Sequence, residues 1–234
     1  MEIWAIGDLH LPGGDIKPMD VFGEHWKGHY DRIREDWSRK VAPEDVVLIP
    51  GDISWAMQLG DALHDLLSIA ELPGRILLIR GNHDYWWSSL TQLRQNLPEN
   101  MFALQNDALV LDGVVFCGTR GWNIPAGSQA DAQTVKLYNR ECGRLELSLK
   151  EARRLGDGLP VVAMMHYPPL YPECTETGFT KLPSDYGVSR CVYGHLHGPS
   201  IRRGFTGCVG GVRYDLVSCD ALQFQLKNIS LTQS

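Results

Sequence analysis

The chain has 234 residues, 44% of them hydrophobic and 21% charged, with a formal net charge of −6. Such a composition fits an ordinary globular protein, read as a single domain over residues 1–234. The acidic balance argues against a protein that coats nucleic acid through a broad basic surface, and no apolar run approaches the ~20 residues of a membrane helix.

The first apolar run, Ile3-Trp4-Ala5-Ile6, reads as a strand and leads into Gly7-Asp8-Leu9-His10. No charged segment with an apolar core and cleavage site opens the chain, and the expected compartment is the cytosol. The six cysteines show no Cys-x-x-Cys spacing; in an intracellular chain with its own core they are expected to be reduced packing residues. Pro12-Gly13-Gly14 starts a loop. From Asp20 to about Val41, the residues Phe22, Trp26, Ile33 and Trp37 recur at helical spacing and predict an amphipathic helix. His25 and His29 stand four apart on it, a spacing able to bind zinc. The His-Glu-x-x-His order is absent, so both are assigned to a helix face.

Val46-Val47-Leu48-Ile49 is a second strand, which runs through Pro50 into Gly51-Asp52. Leu59, Leu63, Leu66, Leu67 and Ala70 mark a helix that stops at Pro73-Gly74. Ile76-Leu77-Leu78-Ile79 is the third strand and ends in Arg80-Gly81-Asn82-His83-Asp84. Strand, helix and strand at this separation imply a parallel pair with a right-handed crossover. Trp86 and Trp87 follow, then a short helix to about Asn96. Met101 to Leu104, Ala108 to Leu111 and Val114 to Cys117 read as antiparallel strands, with tight turns at Asn106-Asp107 and Asp112-Gly113. Thr119 to Asp131 is a polar loop, and Val135 to Leu149 marks a helix ending near Gly156. Val161 to Met165 runs into His166. The proline-rich segment from Tyr167 to Ser189 reads as a long loop, either a lid or a surface excursion. Cys191-Val192-Tyr193 then runs into Gly194-His195-Leu196-His197, and short strands at 201–205, 212–217 and 222–226 close the chain.

Five apolar runs therefore end in Asp, Asn or His. Short buried runs bounded by turn signals fit parallel strands covered on both faces, and in such sheets ligands bind beyond the carboxyl ends. Asp8, His10, Asp52, Asn82, His83, Asp84, His166, His195 and His197 are thus expected at one rim. Mixed carboxylate, amide and imidazole donors suit Mn, Fe, Zn, Ni or Co. So many donors exceed what one ion needs, which argues for two. Trp55, Trp86, Trp87 and Trp122 all fall near these segments as candidates for an aromatic wall, and Arg120, Arg202, Arg203 and Arg213 as candidates for a phosphate clamp.

In order and spacing, Asp8-x-His10, Gly51-Asp52, Gly81-Asn82-His83-Asp84, His166 and Gly194-His195-x-His197 resemble the calcineurin-like metallophosphoesterases. The resemblance spans residues 8 to 197. It implies two packed mixed β-sheets flanked by helices, an αββα sandwich, carrying two divalent metal ions, Mn first among them. Asp8, His10 and His197 would hold one ion, Asn82, His166 and His195 the other, and Asp52 would bridge them. Water activated by the metals would attack phosphorus. His83 would stand beside the leaving group as a catalytic group, and Asp84 would assist or orient its surroundings. The substrate expected is a small phosphomonoester or phosphodiester rather than a long nucleic acid. The alternatives are a catalytically silent scaffold of the same fold and a hydrolase of a non-phosphate ester.

Two departures narrow the resemblance. Protein Ser/Thr phosphatases of the superfamily carry Gly-Asp-x-x-Asp-Arg-Gly and Gly-Asn-His-Glu, whereas this chain has Trp55 where the acidic residue would stand, no arginine after it, and Asp84 in place of Glu. Phosphoprotein specificity is not expected, and the sequence looks like the small bacterial branch of the superfamily.

Overall fold

The computed structural model describes residues 1–14, 19–125 and 130–231. They form two compact units, Met1–Ala103 with Val217–Ser234, and Leu104–Leu216.

In the first unit β1 (Ile3–Ala5), β2 (Val46–Pro50), β3 (Arg75–Ile79), β4 (Met101–Ala103) and β11 (Lys227–Asn228) form a mixed sheet in the order β11-β1-β2-β3-β4. Ile3 pairs with Val46, Val46 with Arg75 and Ile76 with Met101, all in parallel, while Trp4 pairs with Asn228 antiparallel. Every residue of β2 is buried, as the unbroken apolar run requires of a central strand. Successive side chains leave a strand on opposite faces. Val47 and Ile49, with Ile76 and Leu78, join one core with Ile33 and Trp37 of α1 (His29–Lys40) and with Ala62, Leu66 and Ile69 of α2 (Leu59–Ala70).

The helix expected from Asp20 is interrupted. Two single 3-10 turns, Met19–Phe22 and Glu24–Trp26, precede α1, separated by Gly23 at φ 132° and Gly28 at φ 61°. Trp26 still reaches the core with Ile33 and Trp37, whereas Phe22 is exposed, so the predicted stripe is neither one continuous helix nor one buried side. His25 and His29 accordingly do not share a helix face. His29 is buried with its Nε2 2.9 Å from the carbonyl of Leu9, and burial lowers its pKa. The third strand is followed by α3 (Leu90–Asn96), and β4 returns parallel to β3. Residues 101–104 were expected to pair antiparallel with the next strand. The connection through α3 is long enough for a crossover and makes the parallel pairing possible.

In the second unit β5 (Ala108–Leu111), β6 (Val114–Thr119), β7 (Val161–Met165), β8 (Arg190–Tyr193), β9 (Gly207–Val209) and β10 (Val212–Leu216) form a mixed sheet in the order β5-β6-β7-β8-β10-β9. The hairpin expected around Asp112-Gly113 is present: Leu111 pairs with Val114, and the two turn residues have φ of 45° and 78°. The strands β6, β7 and β8 are parallel neighbours. The long helix α4 (Ala132–Leu155) packs on β5 and β6. Its Ser148 hydroxyl accepts the N–H of Gly118 at 2.8 Å and donates to the carbonyl of Asp107 at 2.6 Å.

The segment 167–189 is not a continuous loop. It contains α5 (Gly178–Asp185), opened by a Thr177/Thr180 capping box and carrying a buried Pro183. Its prolines read as breaks in the sequence, but the caps supply enough local hydrogen bonds for a short helix. Near the end of the chain, residues 198–203 form a 3-10 helix where a strand was expected at 201–205. No strand forms at 222–226, where Gln223 and Phe224 have φ of 54° and 62°. Part of the expected loop 119–131 lies outside the described residues. All six cysteines are free, and no helix among the described residues is long and apolar enough to cross a membrane.

Candidate metal centre

The three parallel strands β1, β2 and β3 release their chains at the same end of the first sheet. Asp8 and His10 follow β1, Asp52 follows β2, and Asn82, His83 and Asp84 follow β3. The first two loops run along each other: the N–H of Asp8 donates to the carbonyl of Gly51, that of His10 to Asp52 and that of Leu11 to Ile53, each at 2.9 to 3.0 Å. Asp8, His10 and Asp52 have left-handed backbones, with φ of 59°, 48° and 50°. Non-glycine residues adopt this region at a cost, and such residues cluster where a side chain must be aimed. Asp8 and Asp52 are 0% and 2% exposed. His10 Nε2 lies 4.0 Å from the outer oxygen of Asp52, whose other oxygen accepts the N–H of His83 at 2.8 Å. Buried carboxylates and an imidazole gathered this way are costly without compensating positive charge, which a divalent cation would supply.

Asp84, expected to assist His83 or orient its surroundings, holds two loops together. It is fully buried. One oxygen accepts the N–H groups of Ile53 and Ser54 at 2.8 and 3.2 Å and the indole N–H of Trp86 at 3.1 Å, and the other accepts the N–H of Gly81 at 2.7 Å. The carboxylate fastens the loop after β2 to the loop after β3 and thereby positions both Asp52 and His83. Burial, followed by the negative charge of Asp52, pushes its pKa up to about 6 against those N–H donors. A carboxyl raised in the fold contributes stability below its unfolded pKa that is lost as pH rises through the folded value. Thermal melts of metal-free wild type are therefore expected to lose this contribution between about pH 4 and 6. Asp84→Asn should flatten that slope. It should also cost about 2 kcal/mol at neutral pH, because its amide turns N–H groups toward backbone donors. An unchanged slope would remove Asp84 as the titrating group.

In the second unit β7 delivers His166 and β8 delivers His195 and His197, again from the carboxyl ends of parallel neighbours. The N–H groups of His166 and Tyr167 both donate to the carbonyl of Arg120, at 3.1 and 2.9 Å, and Gly194 donates to His166 at 3.2 Å. The imidazoles meet edge to face, His195 Nδ1 standing 3.2 Å from the Nε2 of the fully buried His166. The loop bearing His197 is fixed by Ser200, whose hydroxyl accepts the His197 N–H at 2.9 Å and donates to its carbonyl at 2.7 Å. Converging ring nitrogens of this kind suit a borderline transition metal.

Of the other candidates, two are core residues and the rest have neighbours within their own unit. Trp86 and Trp87 are 2% and 4% exposed and belong to the core rather than to an aromatic wall. Trp122 packs beside Tyr167, centroids 5.4 Å apart. Arg203 lies over the ring of Tyr171 and within 3.9 Å of Glu173, and Arg213 lies 3.6 Å from Asp215. Two features went unread in the sequence. Tyr167 lies against His195, centroids 4.3 Å apart, and its position directly after His166 was the available signal. Trp55, singled out in the sequence only by its place in the second motif, meets the rings of both His10 and His83.

The pattern of the calcineurin-like phosphoesterases matches residues 1–199, a stretch that draws on both units. Among curated relatives, the gene 66 protein of Mycobacterium phage L5 is 33% identical over 81 residues, covering 35% of this chain and 39% of the relative. The gene 66 protein of Mycobacterium phage D29 is 42% identical over 88 residues, 36% and 40% respectively. The chain thus spans about two fifths of the length of these relatives. Among solved structures, a phosphopantetheinyl hydrolase from Mycobacterium tuberculosis superposes with a TM-score of 0.58 at 17% identity, over 99% of this chain and 96% of the other. A protein of unknown function from Aquifex aeolicus gives 0.50 at 15% identity, over 97% and 95%.

Proposed function

The chain belongs to the calcineurin-like phosphoesterase family, and on that premise we propose that it is a dinuclear metal-dependent phosphohydrolase of small phosphorylated substrates. The observation that carries the reading is the gathering of oxygen and nitrogen donors at the carboxyl ends of neighbouring parallel strands in each unit. We propose that both units serve one domain over residues 1–234. Asp8, His10 and His197 would hold one ion, Asn82, His166 and His195 would hold the second, and Asp52 would contribute to both. Manganese is the first candidate, with zinc, iron, nickel and cobalt behind it. Six free cysteines suit a cytosolic setting.

When bound, the ions supply charge neutralisation on the phosphoryl group and activation of water. The remaining work falls to side chains of this chain. Asp52, fixed by the His83 N–H and by its own left-handed backbone, keeps its other oxygen aimed toward His10. Asn82 adds a neutral donor and limits the negative charge at the centre. His83 stabilises charge on the leaving oxygen and donates a proton to it. The acidic net charge favours a small ester over a long nucleic acid.

The test is to strip the purified protein and load it in turn with Mn, Zn, Ni, Fe and Mg, then assay a chromogenic phosphomonoester and a phosphodiester. Turnover that requires a transition metal is expected, and the ratio of the two substrates sets the subclass. A protein that binds no metal at any loading would overturn the reading and leave the scaffold.

A further inference from the structure

The indole of Trp55 stands between two imidazoles of the first unit. It stacks on His10, with centroids 4.7 Å apart and planes at 20°, and packs against His83 at 4.6 Å and 52°. The two imidazoles are themselves 5.9 Å apart, so the three rings close a triangle. The indole is held at both ends. Its backbone N–H donates to the carbonyl of Leu11 at 2.9 Å, and its ring N–H reaches the sulfur of Met19 at 3.2 Å. The two residues before it donate their N–H groups to Asp84, the residue after His83. Trp55 and His83 are therefore attached to the same buried carboxylate through their backbones and meet again through their rings.

We infer that Trp55 is the positioning residue for His83. The flat apolar face of the indole sets the rotamer of the imidazole that meets the leaving oxygen. The inference rests on the phosphohydrolase reading. A ring already ordered against its neighbour has no rotamer freedom left to lose when the ester binds. Aromatic pairs favour tilted and offset arrangements such as this one. Contact through a ring face holds the imidazole by packing and does not itself use a ring nitrogen.

The test compares metal-loaded wild type, Trp55→Phe, Trp55→Leu and Trp55→Ala on two phosphomonoesters, one with a nitrophenolate leaving group and one with an alkyl alcohol. The alkyl ester needs a proton on its leaving oxygen and the nitrophenyl ester hardly does. Trp55→Ala is expected to lower kcat about 10- to 100-fold on the alkyl ester, with KM little changed and a smaller loss on the nitrophenyl ester. Trp55→Phe should retain most of the rate, and Trp55→Leu, which keeps bulk but no flat face, should fall between. On a His83→Ala background the Trp55→Ala loss should vanish, as coupled residues require.

A second readout needs no turnover. In histidine-labelled, metal-free protein the ring protons of His83, identified through His83→Gln, should resonate upfield from the indole ring current. They should return toward free imidazole in Trp55→Ala and stay displaced in Trp55→Phe. Additive losses with His83→Ala, or His83 signals that ignore Trp55→Ala, would overturn the inference. If wild type turns over neither ester, the phosphohydrolase reading fails, and the ring signals alone decide whether Trp55 places His83.

Discussion

Asp52→Asn is expected to reduce metal-dependent phosphoester turnover by about a thousandfold or more, on the order of 4 kcal/mol of transition-state stabilisation, while leaving the fold intact. The substitution is nearly isosteric. The oxygen that accepts the His83 N–H at 2.8 Å can be kept by the amide oxygen, so the loop after β3 stays in place. The opposite oxygen becomes an NH₂ group, which carries no negative charge and turns its hydrogens toward any cation. Stability should move the other way. Asp52 is buried close to Asp84, and its charge is one of the causes that raise the Asp84 pKa. Removing that charge relieves a like-charge repulsion, so the metal-free variant should melt no lower than metal-free wild type. Added metal should raise the wild-type Tm and barely move the variant's, since a ligand stabilises only the state that binds it. Activity within tenfold of wild type, or an equal metal-induced shift in both proteins, would remove Asp52 from the centre.

The parts of this arrangement that could be read from sequence are those fixed by local chemistry. Runs such as Val46-Val47-Leu48-Ile49 and Val161-Val162-Ala163-Met164-Met165 are apolar without alternation, and only strands buried on both faces tolerate that. All five such runs that end in Asp, Asn or His are strands, and each delivers its polar residues at the carboxyl end. What escaped the sequence depends on contacts between distant residues or on single backbone angles. Gly23 and Gly28 break a periodic stripe that otherwise looks like one helix, because a residue can face the core without belonging to a helix. Met101 to Ala103 pairs with β3 and not with β5, a choice made by the crossover helix. Pro183 sits inside α5 although proline predicts a break. Asp84 illustrates the same limit at the centre itself. The sequence left open whether it assists the chemistry or orients its surroundings, and its four N–H donors, contributed from residues 53, 54, 81 and 86, show that it fastens two loops together.

Gly81→Ala is expected to be the most damaging single methyl group in the first unit. A Cβ at Gly81 would lie 2.1 Å from Oδ1 and 2.2 Å from the backbone N of Asp52. The objection is purely steric, since Gly81 does not occupy the left-handed region that favours glycine. Asp52 has nowhere to retreat. Its carbonyl accepts the His10 N–H, its side chain accepts the His83 N–H, and the residues after it are tied to Asp84. Relief must come by separating the loops after β2 and β3, which breaks several of these hydrogen bonds together. A loss of about 3 kcal/mol or more is therefore expected, and turnover and metal retention should fall with it, because the same movement carries Asn82 and His83 away from Asp52. Gly143→Ala on α4 is the matched control: a Cβ there meets nothing within 4 Å, so the helix should gain about 0.5–1 kcal/mol. Denaturant melts of both variants, with metal content measured on the folded fraction, decide the point. A Gly81→Ala protein as stable as wild type and still loaded with metal would mean that the two loops are not locked together, and Asp84 would then lose its positioning role as well.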